Sequence, residues 1–150
     1  MAIRGLERVD AFTATWERFF RAARRARARA PERGAGELTL AQYLLLAPLR
    51  ERSPQAVREL ADAAGVAGPT ATRLLDSLEA AGVVQRRPSE RDRRSVEVSL
   101  TAEGERMLTK TQRWVDAGRR RIYDALEPDE RADAERLLAR LADIFEEIAR

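Results

Sequence analysis

Residues 60–100 read LADAAGVAGPTATRLLDSLEAAGVVQRRPSERDRRSVEVSL, and the pattern of that stretch decides the fold. A short helical pattern, with Leu60, Ala61 and Ala64 facing inward, closes at Gly65, a residue suited to the left-handed conformation that ends a helix. Val66 plugs the angle before the next helix. Pro69 fits a first helical turn, where its missing amide hydrogen costs nothing. Leu74, Leu75, Leu78 and Ala81 make the buried stripe of that second helix, and Thr70, Thr72, Arg73 and Ser77 fall on its other faces. Gly82 ends it. Val83 and Val84 open a strand, and Val96, Val98 and Leu100 alternate with polar residues as a second, antiparallel strand. Pro88 to Arg94 is too long for a two-residue turn, so the hairpin should project a loop. The stretch predicts helix, turn, helix, hairpin.

The flanks read as helices. From Leu6 to about Ala30, Val9, Phe12, Trp16, Phe19, Phe20 and Ala23 recur at spacings of three and four. Pro31, Gly34 and Gly36 break that pattern. Thr39 and Gln42 have the spacing of a capping box, with Leu38 and Tyr43 placed for a hydrophobic staple. Pro48 cannot donate to the carbonyl of Leu44, so the helix should kink or end early there. Gln55 to Val57 suits a short extended piece. Thr101 can cap a long helix whose stripe is Met107, Leu108, Thr111, Val115, Gly118, Ile122 and Leu126. Pro128, with Asp129 and Glu130 behind it, starts the last helix. Ala134, Leu138, Leu141, Phe145 and Ile148 form its main face, widened by Leu137 and Ile144. The fold class is mainly α with a small β-hairpin wing, a winged helix-turn-helix between N- and C-terminal helices.

With 150 residues, one domain is the default. No apolar run approaches a membrane span, and Glu7 and Asp10 interrupt any signal-peptide layout, so a cytoplasmic protein with no membrane partner is expected. There is no cysteine and no histidine. That removes disulfides, thiolate chemistry, the commonest metal ligand and the usual general base. No phosphate-binding glycine loop is present either, so the chain reads as a non-enzyme with no cofactor and no metal. The net charge is only +3, but arginines crowd residues 18–33 and 86–94 while acids dominate the C-terminal stretch.

That clustering points to DNA. A short helix, a glycine turn and a second helix with small polar residues near its start is the layout that enters a major groove. Thr70 and Thr72 can donate hydrogen bonds or pack a thymine methyl, and Arg73 can span guanine O6 and N7 or clamp a phosphate. Arg86, Arg87, Arg91, Arg93 and Arg94 surround the hairpin loop, and a projecting guanidinium suits the negative potential of a narrow minor groove. Asp92, beside them, can hold a neighbouring arginine in one orientation.

ELADAAGV followed by PTATRLLDSLEAAGVVQRRPSERDRRSVEVSLTAEG resembles the MarR (multiple antibiotic resistance regulator) family of bacterial transcription factors. The run from Asp92 to Gly104 matches in register with the helix-turn-helix, and flanking helices of suitable length extend the resemblance over nearly the whole chain. The resemblance implies a homodimer with two winged helices on a palindromic promoter site, dimerising through its first and last helices, often released by a small aromatic or phenolic ligand. It implies Arg94 in the minor groove, oriented by Asp92, and residues 68–73 at the major groove. The corresponding organisation is a dimerisation helix and loop over 1–37, a DNA-binding lobe over 38–100 and dimerisation helices over 101–150. Two features depart from the family. Ala67 and Gly68 stand where a serine cap is common, a loss of about 1 kcal/mol, and Pro48 is unusual. The lack of cysteine excludes the peroxide-sensing branch, and the lack of histidine argues against the zinc-sensing one.

The end helices carry apolar residues over arcs too wide for a monomer, which a second copy would cover. Trp16, Phe20, Tyr43 and Trp114 are the candidates for lining a ligand pocket between the dimer base and the DNA-binding lobe; plain core is the alternative for each. A winged-helix protein-interaction module that no longer reads DNA is the alternative function.

Overall fold

The structure, a computed structural model, describes residues 2–28, 37–89, 92 and 94–149. The chain divides into two units after Gly36. The first holds a single helix, α1 (Ala2–Ala28), which begins before the apolar periodicity does. Phe12, Trp16 and Phe20 sit at four-residue steps, so their rings climb one face, with centroids 5.8 Å and 4.8 Å apart. Phe19 meets Phe20 edge-on at 5.3 Å.

The second unit runs α2 (Leu40–Leu46), a 3₁₀ turn (Ala47–Arg50), β1 (Gln55–Ala56), α3 (Val57–Ala64), α4 (Gly68–Ala80), β2 (Val84–Pro88), β3 (Val96–Leu100), α5 (Ala102–Asp124) and α6 (Pro128–Ile148). The capping box at the head of α2 forms in both directions: Gln42 N donates to Thr39 Oγ1 at 3.2 Å, and Thr39 N to Gln42 Oε1 at 2.9 Å. Leu38 and Tyr43 are both buried beside it. The helix stops at Leu46 and tightens to 3₁₀ through Pro48, the early end that proline's missing donor requires. The buried Gln55 secures this turn, its Nε2 donating to the carbonyls of Pro48 and Arg52, both at 2.7 Å.

The wing is a sheet of three strands, not two. β3 is central, pairing antiparallel with β2 on one side and with the short β1 on the other, Gln55 opposite Val98. Leu45, Leu46, Leu60, Leu75, Leu78, Val83, Val98 and Leu108 form the core where α2, α3, α4, the sheet and the front of α5 meet. Burying each such side chain contributes about 1.5–3 kcal/mol.

The stripe expected along α5 is buried only at its front. Leu108, Thr111 and Val115 are inside, whereas Ile122 is 69% exposed. α6 has no buried residue, and Leu138 and Ile148 are 63% and 77% exposed. Arg131 ties the corner between the two helices, its guanidinium 4.6 Å from the Tyr123 ring centroid and its Nε donating to the Tyr123 carbonyl. Among the described residues no helix is long and apolar enough to cross a membrane.

The start of α5 is held against the base of the wing. Thr101 caps it, accepting from Gly104 N at 3.1 Å, while its Oγ1 donates to the Gly82 carbonyl at 2.6 Å. A Cβ on Gly104 would overlap the Val83 carbonyl oxygen, a backbone atom that cannot rotate away. Gly104→Ala should therefore lower stability by about 1–3 kcal/mol, read as a reduced midpoint in urea unfolding. An unchanged midpoint would show that the helix start can shift freely.

Candidate nucleic-acid interface

The helix-turn-helix forms as its small residues dictate. Gly65 adopts φ 64°, and Val66 N reaches back to the Ala61 carbonyl at 3.0 Å, closing α3. Ala67 occupies the N-cap of α4 without a side-chain bond. The missing serine costs less than it would elsewhere. Pro69 has no amide hydrogen to satisfy, and Thr70 N donates to the Ala67 carbonyl at 2.9 Å. Ala71, Leu75 and Leu78 turn inward. Thr72 and Arg73 are left exposed and Thr70 half-buried. Arg73 has no side-chain partner among the described residues.

β2 and β3 stay paired as far as Pro88 opposite Val96, and the loop between them is organised around Asp92. Asp92 Oδ1 accepts from the backbone amide of Arg94 at 2.9 Å, and its carbonyl accepts from Ser95 N at 2.9 Å. Ser89, buried at the loop's base, donates to Glu97 Oε1 at 2.7 Å and accepts from Asp92 N at 3.4 Å. The aspartate thus shapes the turn from which Arg94 projects. It orients that residue through the backbone, not by pairing with the guanidinium, which is a correction to the side-chain contact its position suggests. Arg91 and Arg93 lie outside the described residues. Arg87 is exposed, on the outer face of the sheet opposite Glu97.

Arg86 is a second correction. It is not a free wing arginine. Its register opposite Val98 puts it on the inner face of the sheet, and its side chain is only 19% exposed. One guanidinium nitrogen donates to Asp76 Oδ1 at 2.6 Å and to the Thr72 carbonyl at 3.3 Å. Glu79 accepts the Arg86 amide at 3.2 Å and lies 3.6 Å from its Nε. Asp76 and Glu79 escape notice in the sequence as ordinary helix-surface acids. The available signal is parity: counting by twos from Val84 reaches Arg86, a cation at an apolar-facing position that needs a partner.

The fold brings α4 and the wing together. Gly68 and Thr72 from α4, Arg94 from the wing and Arg58 from α3 line one open cleft of about 650 Å³. Arg58, also missed in the sequence, is almost fully exposed there, with Asp62 3.9 Å away. The aromatic candidates fall in both units. Trp16 and Phe20 stack on each other in α1, in the first unit. Tyr43 is 4% exposed and its hydroxyl donates to Gln112 Oε1 at 2.5 Å, so it serves the core that joins α2 to α5. Trp114 is partly exposed on α5.

Comparison with known proteins agrees with this arrangement. The family model described as MarR family matches residues 38–96. A structure described as the transcriptional repressor CouR, bound to a 23-mer DNA duplex, is 30% identical, with 81% of this chain and 89% of that chain covered at a TM-score of 0.66. Wild-type MarR from E. coli, in its apo form, is 30% identical over 69% of this chain and 78% of that one, with a TM-score of 0.61. BpsR of Bordetella bronchiseptica, whose structure is described as a mechanism for regulation of DNA binding by 6-hydroxynicotinic acid, shares the fold at 22% identity, covering 86% and 98% at a TM-score of 0.72. With a winged helix-turn-helix in that register and relatives of this likeness, the chain belongs to the MarR family of DNA-binding transcriptional regulators.

Proposed function

We propose that the protein is a homodimeric repressor whose two winged helices read a palindromic promoter site, and that a small aromatic or phenolic ligand releases it. The observation that carries this reading is the pair of exposed cations, Arg73 on α4 and Arg94 on the wing, whose side chains have no partner among the described residues, with Thr70 and Thr72 beside Arg73. In that arrangement α4 lies in the major groove, Arg94 enters the minor groove, and Arg91 and Arg93 add phosphate contacts. Arg73 takes a guanine edge or a phosphate, and Arg58 becomes a further phosphate contact from the cleft.

Dimerisation would use the end helices, residues 1–37 and 101–150. It is supported by the exposed apolar faces of α6 and of the rear of α5, and by the aromatic ladder of α1. Repression follows the description of CouR as a repressor. Release by an aromatic acid follows the regulation described for BpsR, with Trp16, Phe20 and Trp114 as the residues to test. A ligand shifts the dimer only by binding better to a spacing of the two wings that DNA does not accept.

Binding to a duplex selected from a random library should weaken steeply with salt. Arg94→Ala should reduce the affinity and lower the slope against log salt by about one, measured by fluorescence anisotropy. An unchanged slope removes Arg94 from the DNA, and salt-insensitive binding by the parent favours the protein-interaction module instead. Asp92→Ala should weaken binding while lowering the unfolding free energy by less than about 1 kcal/mol, because it frees the turn without touching the core. Leu138→Glu with Phe145→Glu should give a particle of monomer mass in sedimentation equilibrium. A persistent dimer would move the interface off α6.

A further inference from the structure

We propose that Arg86 is a positioning residue, an ionic clamp that sets the wing against the recognition helix so that Arg94 reaches DNA only where Arg86 holds it. The inference rests on the DNA-binding reading above and goes beyond it by assigning the wing's placement to a named set of groups. Arg86 lies in the middle of β2, on the strand that leads to the loop carrying Arg94. Its guanidinium meets α4 at two levels, the Thr72 carbonyl and the Asp76 carboxylate one turn further on, and its amide meets Glu79. The residue that fixes the strand therefore touches the backbone of Thr72, beside the proposed base contact Arg73.

Stability does not account for an arginine here. An apolar side chain would fill this inner-face position without the cost of desolvating a guanidinium whose side chain is only 19% exposed. The Nε of Arg86 is buried with no hydrogen bond, its nearest carboxylate oxygen at 3.6 Å, so part of that cost is uncompensated. What the guanidinium adds is direction. A planar fork aimed at a carboxylate and a carbonyl fixes both the angle and the slide of a strand along a helix, whereas apolar contact permits sliding.

The sign of one substitution separates a clamp from a simple charge. Asp76 is an acid near the proposed DNA face, with its side chain 60% exposed. Removing an acid from a DNA-binding surface ordinarily tightens binding, because it removes repulsion of phosphates. A clamp reverses the sign. The full-length parent, Asp76→Asn, Arg86→Gln, Arg94→Ala and the double variant Arg86→Gln with Arg94→Ala are titrated across a salt series against the duplex that the parent enriches from a random library. Asp76→Asn should bind about tenfold more weakly. Arg94→Ala should lose far less in the Arg86→Gln background than in the parent, since a displaced wing has no contact left to lose. Because Asp76 is exposed, its variant reports even if Arg86→Gln fails to fold. Asp76→Asn binding as well as the parent or tighter, or additive losses in the double variant, would overturn the clamp alone. A parent that enriches no duplex overturns the DNA-binding reading, and the clamp falls with it.

Discussion

The carbonyl of Val83 is the joint between the reading head and the long helix behind it. It accepts from Thr101 N at 3.1 Å, and the first turn of α5 closes over it at Gly104. Gly82, at φ 71°, turns the chain out of α4 into this joint, and β3 runs through it directly into α5. A buried carbonyl has to be satisfied, and here it is satisfied by the residue that caps α5. The end of the recognition helix, both long strands of the wing and the start of α5 therefore share one set of hydrogen bonds. A movement of α5 has a direct path to the wing, which a regulator with its binding surface at one end requires.

Charge is divided between two uses. The 28 cations and 25 anions nearly cancel. On α5 and α6 they pair locally, as in Arg119 with Asp116, Arg120 with Asp124 and Arg136 with Asp133. Such exposed pairs contribute a few tenths of a kcal/mol each. They keep long helices soluble along their polar sides and define no site. Around α4 and the wing the charges divide differently: Arg86 is engaged by two acids, while Arg73 and Arg94 remain exposed. On the proposed DNA-binding reading, Asp76 and Glu79 are acids that a cation already answers.

Much of the exposed apolar surface of the second unit lies on α6 and the rear of α5. Leu137, Leu138, Phe145 and Ile148 on α6, and Ile122 on α5, are exposed in the second unit. At about 25 cal/mol per Å², covering a face of that kind is a substantial driving force for association. A homodimer built there would set the spacing between two reading heads. Any ligand that alters the spacing would be linked reciprocally to DNA, weakening it by the same factor as DNA weakens the ligand.

Local chemistry was legible along the chain. The helix periods, the Thr39–Gln42 box, the stop at Pro48, the turn at Gly65 and the cap at Thr101 each depend on residues within a turn or two of one another. The alternation of β3 was equally plain, and with it the hairpin, the Arg94 tip and the exposed Thr72 and Arg73. The third strand was harder, because two residues carry no period and Gln55–Ala56 becomes a strand only by lying against Val98 and Glu97. The roles of individual charges were harder still. Arg86 and Arg94 look alike in sequence, and Asp92 beside Arg94 invites a side-chain pair where the structure has a backbone bond. The sequence by itself determined the helices, the hairpin and the family. Only the tertiary structure decided which arginine is held and which is free, because folding β2 back along α4 brings Arg86 to Asp76 and Glu79, and no local spacing encodes that meeting.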